Sequence, residues 1–133
     1  MKFQTIGNPN DSLIIRLPGS FCPSRGLNYL YEKLKDDYCI VLVEYNGHYE
    51  NSTFSSRQNE AKGIVEYIQN QNIHTIKMIY GQSMGAEIAI ELFKQLEKTN
   101  IDIDCCFLDG APCIKPLYLY KKIMYLNLTK CLI

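Results

Sequence analysis

Short β-branched apolar runs alternate along this chain with longer stretches of helical periodicity, and that alternation most narrowly limits what it can fold into. Segments 12–17 (SLIIRL), 39–45 (CIVLVEY), 75–80 (TIKMIY) and 103–108 (IDCCFL) read as strands. Between them, segment 27–34 repeats Leu27, Leu30, Tyr31 and Leu34 at helical spacing. Segment 57–69 sets Ala61, Ile64, Val65 and Ile68 on one side, and segment 84–97 turns Ile88, Leu92 and Leu96 inward. From Lys115 onward Leu117, Tyr120, Ile123, Met124 and Leu128 suggest one more helix. Strands joined through helices of this length need crossovers, which impose parallel pairing with helices on both faces. The expected fold is therefore α/β, a doubly wound, mainly parallel sheet. Such sheets gather their functional groups at the carboxyl ends of strands. The loops that matter are then 18–21, 46–49 and 81–85.

The last of these reads Gly81-Gln82-Ser83-Met84-Gly85 and stands where a strand gives way to a helix. The string matches G-x-S-x-G, a turn so tight that its serine takes a strained backbone geometry. A glycine two residues to either side lets the strand and helix backbones approach without side-chain collision. Two consequences follow for Ser83. Its hydroxyl projects from the top of the sheet, and the helix behind it aims free N–H groups and a positive dipole end at the same place. The Met84 amide then becomes one half of an oxyanion hole. The segment LPGSF supplies a second half through the Ser20 amide, if strands 12–17 and 75–80 are neighbours. An ordinary loop at 81–85 and a plain Pro-Gly turn at 18–19 are the competing readings.

These pieces together resemble the α/β-hydrolase superfamily. The resemblance is carried by LIIRLPGSF, CIVLVEYNGHYENSTFSS and IKMIYGQSMGAEIAIEL, followed by CCFLDGAP, in that order. Where that family often has His-Gly after the first of these strands, Pro18 stands in place of the histidine. Where an acidic residue often precedes Gly-His, Glu44 stands in the acidic place and Gly47-His48 is kept. The resemblance implies a serine hydrolase acting on an ester, thioester, amide or similar acyl compound without a cofactor. It also implies that only the N-terminal half of the fold is here, truncated after the strand that follows the elbow helix. Residues 1–113 are expected to form the core, and 114–133 to begin a lid-like helical segment.

A serine hydroxyl is a weak nucleophile until a histidine takes its proton and a carboxylate orients that histidine. In this fold the chain order is Ser, acid, His, yet no histidine follows Ser83. His74 precedes the elbow strand, at the opposite end of the sheet, and reads as a loop residue. His48 sits on the active rim, where it either shapes its own loop or serves as a substitute base. Asp109, at the end of segment 103–108, either orders the turn there or serves as the acid.

Composition narrows the remaining classes. Zero formal net charge without charge blocks gives no nucleic-acid face. Six cysteines show no CxxC pair or Cys/His spacing for a metal. No stretch is both long and apolar enough to span a bilayer, because Lys121 and Lys122 interrupt the best one. An N-terminus without a signal-like apolar run leads us to expect a cytoplasmic location. Three functions remain open: an acyl hydrolase built on Ser83, a non-catalytic remnant that binds a ligand or partner, and a half-enzyme completed by another polypeptide. An unblunted apolar edge at 103–108, with Ile103 and Phe107, further suggests a homo-oligomer through that strand.

Overall fold

In the computed structural model, which describes residues 1–26 and 28–110, the chain runs β1 (Lys2–Ile6), β2 (Leu13–Leu17), α1 (Asn28–Leu34), β3 (Cys39–Glu44), α2 (Arg57–Asn70), β4 (Thr75–Ile76), β5 (Met78–Gln82), α3 (Met84–Leu96), β6 (Asp102–Ile103) and β7 (Cys106–Asp109). The helix expected from Lys115 and the segment 114–133 lie outside the described residues. Five strands form one sheet in the order β1-β3-β2-β5-β7, and β4 pairs with β6 in a two-stranded ladder. The pairings β3–β2, β2–β5 and β5–β7 are parallel, as crossovers through helices require.

Three features differ from the sequence expectation. First, β1 is an added strand that pairs antiparallel with β3, placing Phe3 opposite Val43. Phe3 stacks on Tyr67 of α2 at 4.0 Å between ring centroids, which anchors this edge to the core. Second, the run expected at 75–80 is broken at Lys77, and β5 continues to Gln82. The run expected at 103–108 breaks at the same level, at Asp104 and Cys105, so both strand runs jog together. The Lys77 ammonium meets the Asp104 carboxylate at 2.9 Å across that jog. Third, Ile103 is half-buried and packs against the core, so it does not share the exposed edge with Phe107.

The sheet's two faces are covered unequally. On one, Leu13, Ile15 and Leu17 of β2 and Val41 and Val43 of β3 meet Ala61, Ile64 and Ile68 of α2 and Ile88, Leu92 and Leu96 of α3. These side chains recur at helical spacing on the helices and every second residue on the strands, so each element turns one stripe to the common core. Ser56 caps α2 by accepting from the Asn59 amide at 3.1 Å. On the other face, among the described residues, only Tyr31 of α1 joins Ile14, Ile40 and Leu42 as a buried core residue. No helix among the described residues is long and apolar enough to cross a membrane.

Cys39 opens β3 fully inside this packing, and burial, with Asp11 adding to it, pushes its thiol pKa up. Cys105 lies exposed at the jog. Thiolate, not thiol, reacts with alkylating agents. Brief iodoacetamide treatment of the native protein should therefore modify Cys105 at least about tenfold faster than Cys39, with the rates converging in denaturant. Peptide mass mapping separates the two sites, and equal native rates would contradict the burial of β3.

Candidate active site

Two glycines set the geometry around Ser83. A methyl group on Gly81 would stand 2.7 Å from Ala86 Cα and 2.7 Å from the Gly85 carbonyl oxygen, so only a bare backbone lets β5 turn into α3 here. A methyl on Gly85 would stand 2.1 Å from the carbonyl oxygen of Leu17 and 2.6 Å from that of Pro18. The first turn of α3 therefore lies directly on the end of β2. Squeezed between these contacts, Ser83 adopts φ 50° and ψ −115°, a region that L-residues other than glycine seldom enter. Such strain costs on the order of 1–3 kcal/mol and persists only where the surroundings impose it.

The elbow's own hydrogen bonds hold the backbone and leave the side chain out. The Ser83 amide donates to the Asp109 carbonyl at 2.7 Å, and the Ser83 carbonyl accepts from Ala86 N at 3.0 Å. Although Ser83 occupies the N-cap position of α3, its hydroxyl makes no capping bond and the residue is exposed. Oγ thus points to the rim rather than into its own helix. Among the described residues, the amides of Met84 and Ser20 meet no acceptor. A methyl on Gly19 would lie 3.4 Å from Ser83 Cβ and 3.4 Å from the Gln82 carbonyl oxygen, so the start of the 18–21 loop packs against the elbow. The β2–β5 pairing, with Leu17 opposite Gly81, brings the 18–21 loop and the elbow together. Chemically, the rim offers an exposed hydroxyl, two unengaged amides and the positive end of a helix dipole.

The other candidates stand further off. Asp109 is adjacent in register, opposite Gln82. Its main chain holds Ser83, while its carboxylate accepts from the Tyr80 hydroxyl at 3.1 Å. Burial, reinforced by that bond, pushes the Tyr80 pKa up. His48 follows β3, and the whole of β2 lies between β3 and the elbow strand. Its amide donates to the Tyr45 carbonyl at 3.2 Å, and its ring meets the Tyr45 ring edge-on at 5.5 Å. The turn it belongs to is held from below by buried Glu60, which accepts from Asn46 N at 3.1 Å and Asn46 Nδ2 at 3.0 Å. His74 precedes β4 and is exposed at the amino end of the strands. Among the described residues no hydrogen bond joins Ser83 Oγ to a histidine or a carboxylate. No group of three potential metal ligands occurs among them either.

Two surface concavities lie away from the elbow. One, of about 640 Å³, is lined by Met1, Phe3, Asn46 and residues of α2. The other, of about 620 Å³, runs past Pro9, Ser12, Cys39 and His74. One residue beside the Ser83 rim escaped the sequence reading. Arg16, the charged interruption in the apolar run LIIRL, is 3 % exposed on the α1 side of the sheet, and its Nη1 donates to the Ser24 carbonyl.

No family model matches the sequence, and no curated protein matches it. Solved structures do match. A protein from Desulfitobacterium hafniense assigned to the alpha/beta hydrolase family superposes with a TM-score of 0.80 at 24% identity, covering 96% of this chain and 53% of that one. A lipase-esterase related protein from Clostridium acetobutylicum gives 0.73 at 20% identity, covering 95% and 54%. An esterase from Exiguobacterium antarcticum gives 0.69 at 23% identity, covering 84% and 41%. This chain has the α/β-hydrolase fold. It spans about half the length of the solved structures it matches.

The elbow's strain makes opposite demands on neighbouring positions. Ser83→Gly should raise stability by about 1 kcal/mol, because it relieves the left-handed φ against a smaller entropy cost. Ser83→Ala keeps the strain and should stay within about 0.5 kcal/mol of the parent. Gly85→Ala, driven into the Leu17 carbonyl, should cost about 3 kcal/mol or more. Urea midpoints measure all three. A neutral Gly85→Ala would show that α3 does not rest on β2.

Proposed function

We propose that this chain carries the nucleophile and oxyanion portion of a serine acyl-hydrolase site. In this reading Ser83 is the nucleophile and the amides of Ser20 and Met84 receive the oxyanion of an ester, thioester or amide undergoing acyl transfer. The observation that carries the reading is the strained, exposed Ser83 at the strand–helix junction, with its hydroxyl unspent on capping. Attack of Oγ on an acyl carbon would place the developing negative charge where two free amides and the dipole of α3 stabilise it. The esterases and lipase-related proteins that share the fold support the same class of chemistry. Asp109 and His48 are assigned minor roles: Asp109 orders the elbow through its carbonyl, and His48 shapes the turn after β3.

With no base hydrogen-bonded to Ser83 among the described residues, its hydroxyl stays protonated at rest. Assistance by a base is ordinarily worth about 10²–10⁴ in rate. The chain by itself should therefore hydrolyse activated esters weakly, and Ser83→Ala should change that turnover little. A fluorophosphonate should label the chain slowly and only at Ser83, so that Ser83→Ala abolishes labelling. Labelling that is fast and lost in His48→Ala would instead assign His48 as a working base. Labelling spread over other hydroxyls would remove Ser83 from its role.

A second reading, a ligand-binding or self-associating module without turnover, is favoured by the sheet edge at β7. Among the described residues β7 pairs only with β5. Phe107 is 56 % exposed and Leu108 40 %, and Phe107 stacks flat on Tyr80 with centroids 5.7 Å apart. An exposed apolar edge strand is a template for pairing. Light scattering at micromolar concentration should find a dimer or larger species, which Phe107→Lys reverts to monomer. A monodisperse monomer of the parent chain would count against this second reading.

A further inference from the structure

In the segment from Pro18 to Gly26, between β2 and α1, Pro18 and Gly19 are buried but no residue from Ser20 onward is. Phe21, its largest side chain, is 94 % exposed, and at φ 58° it occupies the left-handed region. The segment is instead folded into two tight turns. Cys22 N donates to the Gly19 carbonyl at 3.2 Å, and Gly26 N donates to the Pro23 carbonyl at 2.8 Å. Both turns are internal to the loop, so neither fixes it to the sheet. Further along, the Tyr31 hydroxyl donates to the Arg25 carbonyl at 3.1 Å, which ties the far end of the loop to α1. The bond from Arg16 Nη1 to the Ser24 carbonyl joins the middle of the loop to β2.

Arg16 is an expensive way to make one bond. Its guanidinium has five N–H donors; it is 3 % exposed, and its Nε and Nη2 meet no acceptor among the described residues. Among the described residues, the groups whose charge acts on it are those of Tyr80, Tyr31, Cys22 and Tyr45. Burial pushes the Arg16 pKa down from its usual value, against the pull of those neighbours. A methionine of similar length would fill the space without burying an unpaired charge. What methionine cannot supply is a donor to a loop carbonyl.

We propose that Arg16 is a positioning residue that clamps the 18–26 loop onto β2 and so keeps the Ser20 amide set against Ser83. The assignment of the amide's role rests on the reading of Ser83 and Ser20 given above; the clamp itself does not. Arg16 lies two residues before Pro18 and opposite Tyr80 in register, and Tyr80 donates to Asp109, whose carbonyl holds Ser83. Both walls of the rim are thus referenced to neighbouring residues on one face of the sheet. Removing the Arg16 donor releases only one of them.

Hydrogen exchange and fluorophosphonate labelling of Arg16→Met and Arg16→Lys test this. In Arg16→Met, the Cys22 and Gly26 amides, hydrogen-bonded within the loop, should exchange about tenfold faster while those of β3 and α3 are unchanged, consistent with the loss of a charge-assisted bond. The melting temperature should hold or rise, since the unpaired buried charge is gone. Labelling at Ser83 should fall about tenfold and recover in part in Arg16→Lys, which restores a donor without the planar fork. Unchanged loop exchange in Arg16→Met would overturn the proposal. So would a uniform rise in exchange across the sheet, which marks a merely structural role. Failure of the parent chain to label at Ser83, with loop exchange still rising in Arg16→Met, would leave the clamp standing and remove the hydrolase reading.

Discussion

The contact on which the rim depends is the one between Gly85 and the carbonyls of Leu17 and Pro18. It leaves no room for a side chain, and it sets how closely α3 can start to the end of β2. The strain at Ser83 and the contact of Gly19 with the elbow both sit within the same few residues. Packing of this kind is unforgiving, because the obstructing atoms are backbone and cannot rotate away. The Asp109 carbonyl completes the arrangement from the other side by receiving the Ser83 amide. A strained residue held from both flanks is what allows an unfavourable φ to persist.

The two faces of the sheet do different work. The face covered by α2 and α3 is continuous and apolar, and it supplies the burial that holds the fold together. Among the described residues the opposite face has a smaller core, and near the rim it turns to polar devices: Arg16 to Ser24, Tyr80 to Asp109, Tyr31 to Arg25. Directional bonds fix position where few apolar contacts are present to do so. The Tyr80–Phe107 stack adds an aromatic pair on that side.

Periodicity in the sequence was enough to locate the three helices and the parallel strands, because each carries a full apolar stripe at the right spacing. The adjacency of β2 and β5 also followed from crossover rules, and with it the nearness of Gly19 to Ser83. β1 was not legible: Phe3 and Ile6 lie three residues apart, so the period of two is missing. Its support comes from Tyr67, distant in the chain. The jog at Lys77 and Asp104 was hidden for a similar reason, since each residue reads as a minor polar interruption until the strands are laid side by side. Arg16 stood in plain view within LIIRL. Its partner is a main-chain carbonyl, which leaves no mark in the identity of any residue.

The order of pairing along the chain also bears on how the rim comes into being. β1 and β2 both dock on β3, and β7 docks on β5, each through a modest separation in sequence. The pairing of β2 with β5 joins the two groups and spans the longest stretch of chain of any in the sheet, from Ile14 to Met78. Closing a loop costs entropy that grows with its length and is recovered only once the ends have met. Local helix and strand formation can proceed beforehand, yet Gly85 cannot rest on Leu17 until that closure is made. The rim therefore depends on the longest-range pairing in the sheet, and no conformation in which β2 and β5 have not met can contain it.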